Sequence, residues 1–226
     1  RTLNVGRVMT PTLALIVQRE AEIGAFRPEA FYTVNLRCGD FAAVSEKLKE
    51  KVEADGLAAA CAGEIFYDGL GEMTRLRRTL RDGMPEDVRL KKIAGHAALM
   101  AQSGQYNYGR CMRRGDTVAA MLALDEFVRQ AISMVYLLNR TYMPYYKWMF
   151  RGMENFQILP EVAEKIRELS VMGDTSEMWK PPFPPGWNPY VNQLDPRVGR
   201  IEEICQVVVG ELRKQGLTDS RDAFLE

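Results

Sequence analysis

One stretch limits the possible folds more than any other. Asp116 stands immediately before Thr117, and from there to about Arg140 runs an unbroken helical pattern, TVAAMLALDEFVRQAISMVYLLNR. An Asp at a helix N-cap accepts a hydrogen bond from a first-turn N–H that has no partner within the helix. Apolar residues cover most of the circumference of this segment. A helix that is apolar nearly all round is stable only when other elements surround it. The spacing therefore predicts a helical bundle with residues 117–140 as its central helix.

The flanking sequence supports this. Glu72–Arg81 reads as a short helix. Pro85 can open another, running to about Ser103 with Val88, Ile93, Ala97 and Met100 on its apolar side. Pro144 interrupts the pattern before a helix at 145–156, and Pro160 opens one over 161–172. Residues 173–197 hold six of the eleven prolines and read as a loop. A final pair of helices is expected at 198–215 and 220–225. Residues 1–63 differ: Thr10-Pro11 opens a helix ending near Gly24, Phe31–Cys38 alternates as a strand, and Ser45–Ala62 reads as a helix. The expected fold is mainly α, a helical bundle (64–226) preceded by a small mixed α/β segment (1–63), with the junction near Gly63.

Net charge is zero but unevenly spread. Residues 1–63 carry eight basic and eight acidic side chains, residues 89–151 ten and three, and residues 152–226 eight and thirteen. The middle segment suits contact with phosphates or other anions; equally, it can dock on the acidic C-terminal part. No run approaches the length of a membrane span, so no membrane partner is expected. Cys38, Cys61, Cys111 and Cys205 lie far apart and His96 is the one histidine. That pattern points to reduced thiols in a cytoplasmic protein and not to a zinc site. The chain starts without Met, inside what reads as a motif, which suggests that its natural N-terminus lies upstream.

Two tracts carry candidate chemistry. In the first, Gly6-Arg7-Val8-Met9-Thr10-Pro11-Thr12-Leu13 precedes a helix. Gly6 allows close backbone approach, Arg7 offers a planar fork of donors, and the helix N-terminus adds a positive dipole end. The second runs from Gln105 to Trp148. Arg110, Arg113 and Arg114 crowd the start of the long helix, with Tyr106 and Tyr108 able to stack on a base or sugar. Asn139, Arg140, Tyr142, Tyr145, Tyr146, Lys147 and Trp148 gather around Pro144. The alternative is structural: the arginines pair with Asp116, Asp125 or Glu126, and the aromatics are core. His96, Gln102, Ser103 and Gln105 are expected to be structural or turn residues.

The run LNVGRVMTPTLALIVQREAEIGAF with PEAFYTV resembles type IA DNA topoisomerases, the topoisomerase III-like branch in particular, although the common pattern has Gln where Met9 stands. The resemblance implies that Arg7 and Thr10 touch the backbone of single-stranded DNA. The family's acidic metal site and its nucleophilic tyrosine, in a Tyr-Pro-Arg context, have no counterpart in these 226 residues, so strand cleavage by this chain alone is not expected. The runs IFYDGLGEMTRLR, PEDVRLKKIAGHAALMAQSGQYNYGRCMRRGDTVAAMLALDEFV and ISMVYLLNRTYMPYYKWMFR resemble a different family, the helical domain of unknown function numbered 4037 that follows nucleotidyltransferase domains. The family often has Pro where Gly109 stands. It implies a pocket for a nucleotide, with Lys147 meeting the triphosphate and Trp148 walling it. The Gly-Ser and paired aspartates that hold magnesium in such transferases are absent from the sequence, so Mg2+ is expected only with a catalytic domain outside this chain, and no cofactor within it.

The leading expectation is thus a non-catalytic helical domain of a nucleotidyltransferase-like protein, a fusion or truncated chain, binding a nucleotide or other anionic small molecule. The alternative is a DNA-binding fragment of a type IA topoisomerase.

Overall fold

The structure is a computed structural model that describes residues 35–38, 41–44, 54–188, 192–220 and 222–225. The chain divides into two compact units, Arg1–Lys51 and Val52–Glu226. In the first, β1 (Asn35–Cys38) and β2 (Phe41–Val44) pair antiparallel, Asn35 opposite Val44 and Cys38 opposite Phe41. The strand expected at 31–38 is described only over β1. The helix expected from Thr10 to Gly24, with Arg7 and Thr10, lies outside the described residues.

The second unit is helical, as expected. Its elements are α1 (Ala54–Cys61), α2 (Glu72–Asp82), α3 (Glu86–Met100), a π-helical segment (Ala101–Tyr108), α4 (Gly109–Arg113), α5 (Thr117–Leu138), α6 (Tyr146–Met153), α7 (Pro160–Val171), a 3-10 turn (Ser176–Trp179) and α8 (Pro196–Lys214). Asp116 caps α5, its Oδ1 accepting from the Ala119 N–H at 3.0 Å. Every residue from Gln130 to Leu138 is buried, so the second half of α5 is indeed surrounded. It belongs to one buried cluster that also holds Met100 and Tyr108 before it, and Val162, Ile201 and Ile204 from α7 and α8.

α3, the π segment and α4 form one continuous rod, and α5 runs back along it. The reversal uses Gly115 at φ 73°, with the Gly115 N–H bonding Met112 O and the Asp116 N–H bonding Cys111 O. This is the left-handed helix ending that glycine favours. The antiparallel match is visible in three contacts: Arg89 Nη1 donates to Leu137 O at 3.4 Å, His96 Nδ1 meets Gln130 Oε1, and Gly104 lies against the Phe127 ring.

The structure corrects several expectations. The helix expected to end near Ser103 continues to Arg113, because the wider π turns carry Ala101, Ser103, Gly104, Gln105 and Tyr108 all inward. Val88, expected inside, is 43% exposed, and Arg89 is buried in its place. Arg89 has a reason to be there. Its guanidinium caps the end of α5 while Glu86 takes two of its N–H groups at 2.6 and 3.0 Å. Of the helix expected at 220–225, the described residues 222 and 223 form a bend instead: the Asp222 N–H bonds Ser220 Oγ and the Phe224 N–H bonds Asp222 Oδ1. Such local bonds compete with helix formation. Gln105 holds this segment down, accepting from the Leu225 N–H and donating to Ala223 O and Glu202.

The proline-rich loop is fixed by a fully buried carboxylate. Asp195 Oδ2 accepts from Trp179 Nε1 at 2.7 Å and from the hydroxyls of Tyr108 and Thr175 at 3.0 Å, while Oδ1 caps α8 through the Arg197 N–H at 2.8 Å. At the start of the unit, the Arg77 guanidinium donates to Cys61 O, Ala62 O and Gly63 O at 2.6–2.8 Å, and Arg81 also donates to Cys61 O. The two sides of Gly63 are therefore tied together. Among the described residues, no helix is long and apolar enough to cross a membrane.

Candidate functional site

The central helix α5, at 1.5 Å of rise per residue, is about 33 Å long. It therefore separates the candidate residues into two groups, one at each end.

The first group surrounds the N-terminus of α5. Tyr106 is exposed, and the Arg110 guanidinium lies over its ring, 4.5 Å from the centroid. The two are one helical turn apart, which is what lets a cation cover an aromatic face. Arg113 and Arg114 follow, both exposed, at the end of α4. The structural alternative required carboxylate partners for these arginines. Asp116 instead caps α5, and Glu126 accepts from Gln130 at 2.6 Å. The α5 N-terminus adds a partial positive charge. Tyr108 does not belong to this surface. It is buried, its ring meets Trp179 edge-on at 6.5 Å, and its hydroxyl bonds Asp195 and Thr175. Burial pushes its pKa up to about 12.

The second group lies at the C-terminus of α5. Asn139 is a structural clasp: its amide donates to Val135 O and Ile158 O, and its carbonyl accepts from the Ile158 N–H. Arg140 follows at φ 53° and donates to Glu86 at 2.7 Å. The guanidinium bonds of Arg89 first, then of Arg140, hold the Glu86 carboxyl down at about 2. Tyr145, Tyr146, Lys147 and Trp148 are exposed at the start of α6, with the two tyrosine rings 4.5 Å apart and tilted. Beside them is a cleft of about 450 Å³. Ala58, Tyr136, Pro144 and Phe156 give it apolar walls, Tyr142 adds a phenol, and Arg81, Arg140 and Thr141 give it a polar rim. Arg81, Tyr136 and Phe156 carried no sequence signal for this role, since they are far from one another in the chain.

Among the described residues, no group of three or more His, Cys, Asp or Glu side chains is placed to hold a metal ion. The two surfaces offer cationic side chains, aromatic faces and hydrogen-bond donors.

Comparison with known proteins places two classes side by side. Residues 50–149 match the family model described as a domain of unknown function (DUF4037), and residues 1–76 match that of DNA topoisomerase. Both resemblances read from the sequence are thus present, and the two matches overlap around Gly63. Among curated proteins, DNA topoisomerase 1 of Thermoplasma acidophilum is 41% identical over 66 residues, covering 27% of this chain and 9% of that protein. DNA topoisomerase 1 of Archaeoglobus fulgidus is 38% identical over 86 residues, covering 38% of this chain and 12% of that protein. The chain thus spans about a tenth of the length of the curated relatives it matches. No solved structure matches.

Proposed function

We propose that the helical unit is a non-catalytic anion-binding module of a nucleotidyltransferase-like protein, acting in the cytoplasm, and that the α4–α5 turn takes the phosphates of a nucleotide or another anionic small molecule. One observation carries this reading. Arg110, Arg113 and Arg114 crowd the N-terminus of α5 without a salt bridge among the described residues, and Arg110 already covers the face of an exposed tyrosine. A phosphate there would gain guanidinium donors from Arg113 and Arg114, with the Arg110–Tyr106 pair beside it. The site needs no cofactor within this chain. The farther candidates, Tyr146, Lys147 and Trp148, lie at the other end of α5 and contribute to a different surface.

The test is a thermal-shift titration with ATP and with inorganic triphosphate. Wild type is expected to gain stability with either ligand, and Arg113→Ala/Arg114→Ala to lose most of the gain while keeping its unliganded melting temperature. Equal gains in both proteins would refute the assignment.

A second reading is supported by the match of residues 1–76 to DNA topoisomerase: a single-stranded-DNA contact made by Arg7 and Thr10. Fluorescence anisotropy with a labelled oligonucleotide distinguishes it. Affinity that falls with salt and with Arg7→Ala supports this reading; affinity indifferent to Arg7 removes it.

A further inference from the structure

The geometry points to a second binding site, the cleft at the C-terminal end of α5, which takes a small planar aromatic anion. It is independent of the α4–α5 turn, which lies at the opposite end of the same helix.

The cleft has the composition of a small-molecule site, with mostly apolar walls and a few convergent polar groups. Its volume is about 450 Å³. Tyr136 and Phe156 already pack edge-to-face at 4.9 Å, so they form a fixed aromatic wall. That wall is held from behind. Tyr136 donates its hydroxyl hydrogen to Met149 O at 2.9 Å, and a Cβ added at Gly152 would lie 2.2 Å from the same hydroxyl oxygen. Glycine at 152 is thus required for the tyrosine to stand where it does. Burial raises the pKa of Tyr136 to about 12 and raises that of Tyr142, so both phenols stay neutral.

The charged residues lining the cleft are Arg81 and Arg140, both cationic. Two helices end here, and free carbonyls at a helix C-terminus would repel an anion. The protein has covered them. Arg77 bonds three carbonyls at the end of α1, while Arg89 and Gln215 bond Leu137 O and Leu138 O. A guanidinium carries five N–H donors, and the bonds Arg81 and Arg140 make to Cys61 O and Glu86 leave others for the cleft side.

Arg140 itself is the most telling residue. It sits just past the helix end at φ 53°. Glycine is preferred at such a position, and a long side chain there is strained. Its partner Glu86 is half-exposed, as it is itself, and such pairs contribute little to stability. The strain is accounted for if the guanidinium serves the cleft, in keeping with the tendency of strained residues to mark ligand sites.

The test uses isothermal titration of the full chain with naphthalene-1-sulfonate, and with the neutral naphthalene-1-sulfonamide as control. Wild type is expected to bind one sulfonate, with the sulfonamide about tenfold weaker, the factor expected when one charged hydrogen bond is lost. Arg140→Gly relaxes the backbone, so it should melt no lower than wild type while losing about tenfold in sulfonate affinity. Arg81→Met keeps the side-chain stem and should show a similar loss. Absence of binding to wild type, equal binding of the sulfonamide, or unchanged affinity in a folded Arg81→Met/Arg140→Gly protein would each overturn the proposal.

Discussion

Replacing Gly104 by Ala tests the register of the π segment against α5. In an ordinary helix this change helps, because Ala is favoured over Gly by about 1 kcal/mol. Here a Cβ at residue 104 would lie 2.3 Å from Phe127 Cδ2, 2.8 Å from Cγ and 2.9 Å from Cε2. Phe127 is fully buried, so the ring has nowhere to turn without displacing core neighbours. Overpacking of this kind costs about 1–3 kcal/mol. Set against the propensity gain, the net destabilisation is about 0–2 kcal/mol, or a fall in melting temperature of up to about 8 °C for a unit of this size. Gly95 supplies the control on the same rod: it is exposed and its added Cβ meets nothing within 4 Å. Gly95→Ala should therefore stabilise by about 0.5–1 kcal/mol. Differential scanning calorimetry reads both. Phe127→Leu should rescue part of the Gly104→Ala loss in a double-mutant cycle. Equal stabilisation by both glycine replacements would refute the contact between Gly104 and Phe127, and with it the inward turn of the π segment.

Three further outcomes are expected. Asp195→Ala leaves the indole N–H of Trp179 and the buried Tyr108 and Thr175 hydroxyls without their acceptor, so urea unfolding followed by tryptophan fluorescence should show a loss of about 3 kcal/mol or more. Arg89→Ala takes away the buried donor to Leu137 O at the end of α5 and leaves the half-exposed Glu86 paired with Arg140 alone, and should cost about 1–3 kcal/mol in the same assay. Glu86 has a carboxyl held at about 2 against an ordinary 4.5. Its contribution is therefore complete above the ordinary value and is lost as the pH falls toward the depressed one; the urea midpoint should fall less steeply over that range in Glu86→Gln than in wild type.

The parts of the fold that were legible in the sequence are those fixed by local chemistry. The Asp116 cap and the Pro160 start each rest on residues adjacent in the chain and appear as expected, whereas the apolar circumference of α5 is enclosed only in its second half, Val118, Met121 and Leu122 in the first half being exposed. The π segment left no such trace. AQSGQYNY has the look of a turn, and only contacts with Phe127, Asp195 and the C-terminal segment give its wider spiral a reason. Tyr108 was misplaced for the same reason: neighbours in sequence, Tyr106 and Tyr108 face solvent and core respectively. Buried polar groups were equally hidden, because what stabilises Arg89 and Asp195 lies on elements remote in sequence. For the candidate site, composition identified the arginines at 110–114 but could not show that a helix about 33 Å long holds them apart from residues 139–148. The cleft between α1, α2 and the end of α5 is assembled from residues 58 to 156 and has no linear signature.

Phosphate binding at the α4–α5 turn is tested most directly by isothermal titration of the full chain with ATP, at low and at physiological salt. In Arg140→Gly, which removes a cation of the cleft, a single site is expected, with affinity that falls with salt and drops at least tenfold when Arg113→Ala/Arg114→Ala is added. No heat of binding in wild type, or the same affinity after that addition, would contradict it.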